Sequence, residues 1–267
     1  MEAWVRQYDQ SVMFGLVAKT LGGQMKLRGA TALVTGANRG IGHHFAVELL
    51  QRGAKVYATA RRPELVSVPG AEVIRLDITD QSSVDAVAAV AGDVDVLINN
   101  AADTAGGNLV TGDLDAIRST MDSNYYGTLA MIRAFAPILG RNGGGAILNV
   151  LSAAAWTTVD GNTAYAAAKS AQWGLTNGVR IELAPQGTQV VALVPGLVGT
   201  QTLFDFAERH GIEFPDGAVM DPADLVRLAL DGLERGEIEI LDPMGVDAKT
   251  SLAGPPRAFA PSAFDAG

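Results

Sequence analysis

The sequence predicts an α/β chain, a doubly wound and mostly parallel sheet of seven strands with helices on both faces. Three observations predict it. Seven short apolar runs rich in β-branched residues recur along the chain, helical stretches separate them, and a glycine-rich turn stands between the first run and the first helical stretch. Runs that are apolar throughout, rather than alternating, belong to strands covered on both faces. Strands alternating with helices build right-handed βαβ units.

The first strand is ATALVT (30–35), followed by a helix over 41–52. AKVYATA (54–60) and AEVIRL (71–76) are the second and third strands, with a helix over 80–91 after them. VDVLIN (94–99) is the fourth, and one long helix over 114–139 leads to the fifth, AILNVL (146–151). The next helix, 163–184, contains the alanine-rich stretch AYAAAKS; alanine is the best helix former. QVVALV (189–194), a helix over 221–235 and IEIL (238–241) complete the sheet. Residues 29–245 read as one domain, because no Pro- or Ser-rich linker and no repeat divides them.

Residues 1–28 form an N-terminal arm. Val5, Tyr8, Val12 and Leu16 recur at helical spacing, and Gly22-Gly23 would end the helix. The arm packs either on its own domain or on a neighbouring subunit. Residues 246–267 end in GPPRAFAPSAFDAG, whose three prolines predict an irregular tail.

Composition removes several functions. The chain has 267 residues, 48% of them hydrophobic, and a net charge of −9 without any basic run. That balance disfavours nucleic acid and anionic membrane as partners. Cysteine is absent and histidine is limited to His43, His44 and His210. Thiolate chemistry is thereby excluded and no metal site is expected. No segment reaches the roughly 20 apolar residues that span a bilayer. The opening MEAWVRQYDQ lacks a signal-peptide pattern. A cytoplasmic protein is expected.

The turn TGANRGIG (35–42) puts Gly36, Gly40 and Gly42 between a strand and a helix. Backbone without Cβ approaches a diphosphate there, and the helix N-terminus favours negative charge. In AYAAAKS, Tyr165 and Lys169 stand four apart and share a helix face. A lone pair of this kind is most often a Tyr packed on a Lys stem, so the rest of the chain has to decide its meaning.

Together the motifs resemble the short-chain dehydrogenase/reductase family over residues 28–242. The glycine spacing G-x-x-x-G-x-G is the family's, and LINNAA (97–102) matches its NNAG through Asn99, Asn100 and Ala101, with Ala102 in place of the glycine. LDIT (76–79) and PGLVGT (195–200) follow in the family's order. Ser152 precedes Tyr165 by thirteen residues, as the family's catalytic serine does, and Asn124 in MDSNYYG matches its fourth catalytic residue. The resemblance implies a Rossmann fold and the catalytic set Asn124, Ser152, Tyr165 and Lys169. It also implies a nicotinamide site built from Gly36, Asn38, Arg39, Gly40, Ile41, Gly42, Arg61, Asp77, Ile78, Asn99, Ala101, Tyr165, Lys169, Pro195, Val198 and Thr200. Asp77 would hold the adenine amino group, although a helix cap or a turn also explains an Asp there. Asn124 would fix a water relaying protons to Lys169.

A Rossmann site selects its cofactor at the end of the second strand, where an acidic residue marks NAD. In KVYATARRP no carboxylate is present; Arg61 and Arg62 stand there, and Arg39 sits in the glycine turn. A guanidinium holds a 2′-phosphate in a fork, so NADP(H) is expected; solvated loop arginines are the alternative. A phenol titrates near pH 10, and the Lys169 ammonium and oxidised nicotinamide nearby would favour its phenolate.

The expected reaction is NADPH-dependent reduction of a ketone or aldehyde, or the reverse alcohol oxidation, with Tyr165 as acid/base. A catalytically weak NADP-binding sensor or scaffold, and a reductase of imines or enones, are the alternatives. Ser152, Trp156, Tyr165, Leu203 and Phe204 are expected to line a pocket for an apolar or aromatic small molecule, with 201–220 as an apolar lid or an ordinary packed helix. The family resemblance implies a homodimer or homotetramer formed through helices 114–139 and 163–184.

Overall fold

The computed structural model describes residues 25–254 and 258–259. The proposed arm helix at residues 5–16 and tail residues 255–257 and 260–267 lie outside them. One sheet carries seven strands: β1 (Thr31–Thr35), β2 (Lys55–Ala60), β3 (Glu72–Arg75), β4 (Val96–Asn99), β5 (Ala146–Val150), β7 (Gln189–Val194) and β8 (Glu239–Leu241). Their spatial order is β3-β2-β1-β4-β5-β7-β8, and every neighbouring pair is parallel. A two-residue strand β6 (Thr158–Val159) pairs instead with β9 (Ala258–Phe259).

Successive strand residues point to opposite faces, and both faces are covered. Ala32, Val34, Val56, Val96, Ile98, Leu148 and Val191 meet α1 (Gly40–Gln51) and α7 (Pro222–Glu234) in one core, through Phe45, Leu49, Leu225 and Leu230. Leu33, Tyr57, Leu97, Ile147 and Val190 meet α2 (Gln81–Val90), α4 (Thr128–Arg141) and α5 (Thr163–Leu183) in the other, through Val84, Met131, Phe135 and Val179. Hence the strands read as unbroken apolar runs in sequence. No described helix is long and apolar enough to cross a membrane.

Two elements differ from the sequence reading, and segment 201–220 takes one of the two forms expected of it. The long helix over 114–139 is α3 (Leu114–Met121) and α4 joined by a π-helical turn, Asp122–Gly127. Its last residue is pressed on β3's exit: a Cβ at Gly127 would stand 2.8 Å from the Ile78 side chain. Segment 201–220 opens with a helix, α6 (Gln201–His210), capped by Thr200 and ended by Gly211 at φ +63°. The irregular tail expected from residue 246 is corrected at its start, where α8 spans Pro243–Ser251. Asp242 caps this helix by accepting from the Gly245 N–H at 2.7 Å, and Pro243 sets its first turn. The domain therefore continues past residue 245. At its other end, Leu27 is fully buried and donates its N–H to Glu234 on α7.

Candidate active site

Because the strands are parallel, the segments after β1, β2, β3, β4, β5 and β7 open on one edge of the sheet. Strand order reverses between β1 and β4, which leaves a crevice at that edge. The glycine turn lies there. Gly36 and Gly40 adopt φ +69° and +55°, a region that side chains disfavour. A Cβ at Gly42 would stand 2.3 Å from the Gly36 carbonyl oxygen. Asn100 staples the turn from the next strand: its Nδ2 donates to the carbonyls of Thr35 (2.9 Å) and Gly36 (3.3 Å). The Asn100 and Ala101 N–H groups donate to Thr35 Oγ1 at 2.9 and 3.0 Å.

Beyond the turn, α1 begins without a side-chain cap, its N-cap Arg39 being fully extended, and has no acidic residue in its first turn. By contrast α2, α3, α7 and α8 are capped by Asp80, Asp113, Asp221 and Asp242. The free N–H groups at the start of α1, beside Asn38 and Ile41, suit an anion. The residues present therefore fit a dinucleotide diphosphate. The segment Pro195–Thr200 leans over the same turn, since a Cβ at Gly40 would lie 3.4 Å from Thr200 Cγ2. Val198 in that segment is buried and bridged to Met220. Gly196 donates its N–H to Asp242 Oδ2 at 2.7 Å, so one aspartate both caps α8 and holds the segment.

The register Thr35↔Thr59 sets the exits of β1 and β2 side by side. Arg39, Arg61 and Arg62 on these exits are exposed, and none is paired with a carboxylate among the described residues. Asp77 is a turn residue: its Oδ1 accepts from the Thr79 N–H (3.0 Å) and hydroxyl (2.7 Å). Ile78 after it is buried. Asn99 donates from Nδ2 to Asn149 Oδ1 at 2.8 Å, while its own Oδ1 is buried with no hydrogen-bond partner among the described residues. Ala102 fits without strain, because no non-glycine residue described has a positive φ.

Ser152, Tyr165, Lys169 and Asn124 converge where β5, α5 and the π-turn meet. Ser152 is extended at the exit of β5 and accepts from the Ala154 N–H at 3.2 Å. The Ala153 N–H donates to the Pro195 carbonyl at 2.7 Å, pinning this exit to the exit of β7. Tyr165 is half-buried. Burial pushes its phenol up to about 12, and the hydrogen bond with Ser152 pulls it back down. Lys169 Nζ stands 5.5 Å from the tyrosine ring centroid and is buried, which lowers its ammonium to about 7. It donates to the Val150 carbonyl (2.9 Å) and to Gln172 Oε1 (2.8 Å). Asn124 is fully buried, with Nδ2 donating to the Asp103 and Thr120 carbonyls at 2.7 and 2.8 Å.

Three contributing residues escaped the sequence reading. Asn149 and Gln172 carried a signal: one interrupts the apolar run AILNVL, and the other stands three residues after Lys169 on its helix face. Asp242 follows the last strand where no helix was expected, so nothing marked it as a cap.

The expected substrate pocket is only partly assembled. Leu203 and Phe204 open α6 directly after Thr200, and Phe204 is exposed. Trp156 points elsewhere. Its indole packs edge-on against Trp173 at 5.9 Å and under Lys249, next to Leu151, Ala192 and Val194. It borders a hollow of about 240 Å³ together with Leu109, Thr158 and Ala167, which neither Ser152, Tyr165, Leu203 nor Phe204 lines. The short 3-10 turn Ala153–Ala155 turns the tryptophan toward the core, a direction its position between Ser152 and Tyr165 does not disclose. The far end of α6 does reach this loop, since a Cβ at Gly161 would stand 2.9 Å from His210 Cε1. Among the described residues no cluster of acidic, histidine or cysteine side chains could hold a metal ion.

A family profile described as short chain dehydrogenase matches residues 30–210. A crystal structure of a short-chain dehydrogenase from Burkholderia cenocepacia in complex with NADP is 36% identical, with a TM-score of 0.78 over 86% of this chain and 95% of that one. A 3-ketoacyl-(acyl-carrier-protein) reductase from Brucella melitensis, complexed with NADH, is 29% identical with a TM-score of 0.73 over 82% of this chain and 99% of that one. The NADPH-dependent 1-acyldihydroxyacetone phosphate reductase of Schizosaccharomyces pombe is 36% identical over 178 residues, which is 63% of this chain and only 60% of that protein. The profile covers the sheet from β1 through α6, including the stapled glycine turn and the Ser152–Tyr165–Lys169 cluster, and the chain belongs to the short-chain dehydrogenase family.

Proposed function

We propose that this chain is an NADPH-dependent reductase of ketones or aldehydes, working in reverse as an alcohol dehydrogenase. The observation that carries the reading is the Tyr165 phenol, hydrogen bonded to Ser152 and set over Lys169 at the sheet edge that holds the glycine turn. Arg39 and Arg61 would hold the 2′-phosphate, the turn and the start of α1 the diphosphate, Lys169 the nicotinamide ribose, and Thr200 the carboxamide. Bound there, the cofactor would supply hydride to the carbonyl carbon. Tyr165 carries its proton at neutral pH, as a general acid must, and donates it to the substrate oxygen. Ser152 donates a hydrogen bond to the same oxygen and stabilises the charge that develops there. The Lys169 ammonium favours loss of the phenol proton. NADP bound to the Burkholderia structure and the NADPH dependence of the yeast relative support the choice of cofactor.

Leu203 and Phe204 beside the Thr200 segment support an apolar or aromatic substrate. The test is NADPH consumption across a panel of ketones, aldehydes, quinones, imines and enones. Turnover of apolar ketones or aldehydes is expected, and consumption with imines or enones alone would replace the reading.

We also propose that subunits pair through α3–α4 and α5 as a homodimer or homotetramer. Leu114, Tyr126 and Ile181 expose apolar surface on these elements, and contiguous apolar patches are uncommon on monomers. Light scattering should give a multiple of the 27.7 kDa chain mass, and a monodisperse monomer would reject the pairing.

A further inference from the structure

We infer that Gln172 is a positioning residue for Lys169, its buried amide holding the lysine nitrogen beneath Tyr165 and tying it through Thr128 to the π-turn at Asn124. The inference rests on the proposed reading only in giving Lys169 a part in the reaction. Gln172, Thr128 and Lys169 are all nearly fully buried, so their polar atoms must find protein partners. They do so in one chain. Lys169 Nζ donates to Gln172 Oε1 at 2.8 Å, Gln172 Nε2 donates to Thr128 Oγ1 at 3.0 Å, and Thr128 Oγ1 donates to the Asn124 carbonyl at 2.9 Å.

The direction of each bond is determined. A threonine hydroxyl has one proton, and that of Thr128 goes to the Asn124 carbonyl. Its oxygen must therefore accept from Gln172, which turns the amide oxygen toward Lys169. The backbone is clamped as well. The Gln172 carbonyl accepts from Thr176 Oγ1 at 2.8 Å, and Thr176 Oγ1 accepts from Asn149 Nδ2 of β5 at 3.0 Å. The amide is thus held from α5, β5 and α4 together, and the Val150 carbonyl supplies the lysine's second acceptor.

The electrostatic setting gives this amide its weight. The titratable group set against Lys169 is Tyr165 on its own helix. Val150 of β5, Ser152 at its exit, Thr128 of α4 and Asn124 of the π-turn face the cluster without charge, and burial is what lowers the ammonium. In a site without a counter-charge among the described residues, neutral acceptors decide how much ammonium survives. Gln172 supplies one of the two it has. If the side chain only filled space, methionine of similar length would replace it with no change at the lysine.

The experiment uses the full, cofactor-free chain with lysine labelled by 13C at Cε; there are five lysines to resolve by NMR. Gln172→Glu puts a carboxylate where the amide oxygen accepts, and should raise the Lys169 titration midpoint by about 1 pH unit or more. Gln172→Met should lower it by about 1 unit, as an acceptor of the charged form is lost. With NADPH and a ketone that the wild type reduces, Gln172→Met should slow turnover by about tenfold or more while KM changes little. Midpoints equal to wild type in both variants would overturn the inference. If Gln172→Met does not fold, an unmoved midpoint in Gln172→Glu overturns it alone. The titration needs neither cofactor nor substrate, so a wild type that reduces no carbonyl would sink the proposed function without altering what the midpoints say about Gln172.

Discussion

Tyr165→Phe is expected to lower carbonyl reduction by about 10²- to 10⁴-fold, the range a positioned general acid contributes. The substitution removes one oxygen and leaves the ring, so the packing of α5 stays as it is. It removes the hydrogen bond with Ser152, a loss of about 1 kcal/mol for a typical bond, which a folded domain survives. Melting temperature and NADPH affinity by fluorescence titration should therefore stay close to wild type while turnover collapses. The phenol is protonated at neutral pH, because burial holds it at about 12. Phenylalanine at this position keeps that neutrality and loses only the proton to give. Undiminished turnover would mean that the substrate oxygen takes its proton from another group, and the Ser152–Tyr165–Lys169 cluster would then be structural.

What could be read in advance follows from where the information lies. Both faces of the sheet are covered, so β1, β2, β4, β5 and β7 announce themselves as apolar runs, and each βα turn follows by topology. The glycine turn was legible for the same reason, since backbone approach demands glycine in the sequence itself. Ser152, Tyr165 and Lys169 were legible from a resemblance of spacing, which the exit of β5 and one helix face turn into proximity. The π-turn was not. Its last residue, Gly127, lies against Ile78, a contact across two segments that a helical sequence pattern cannot contain. Trp156 was misdirected because its partners, Trp173 and Lys249, come from α5 and from a helix hidden in a proline-containing tail. Gln172 has meaning only once Thr128 on another helix fixes its amide, and Asn100 only once the turn that it staples is folded.

Replacing Arg39 and Arg61 together by alanine is expected to weaken NADPH by about 10²-fold or more, with NADH affinity unchanged. Each hydrogen bond to a charged group contributes about 1.5–3 kcal/mol, and the 2′-phosphate is the one feature that distinguishes the two cofactors. The expectation follows from position. Both guanidiniums sit on adjacent strand exits, both are exposed, and no described carboxylate neutralises either. Arginines with no partner among the described residues are poor candidates for a stabilising role, so the double variant should melt with the wild type. Because the charges are exposed, NADPH affinity of the wild type should fall as salt rises, and that dependence should flatten in the variant. The single variants need not add, as both side chains would grip one phosphate. Arg61→Asp carries the argument one step further: a carboxylate at the end of β2 accepts from ribose hydroxyls and repels a phosphate, so it should turn the preference toward NADH. Titrating both cofactors against all five proteins separates the cases. An equal loss for NADPH and NADH would place the arginines at the diphosphate or the adenine, and no loss for either would leave them as solvated loop residues and remove the basis for NADPH selection.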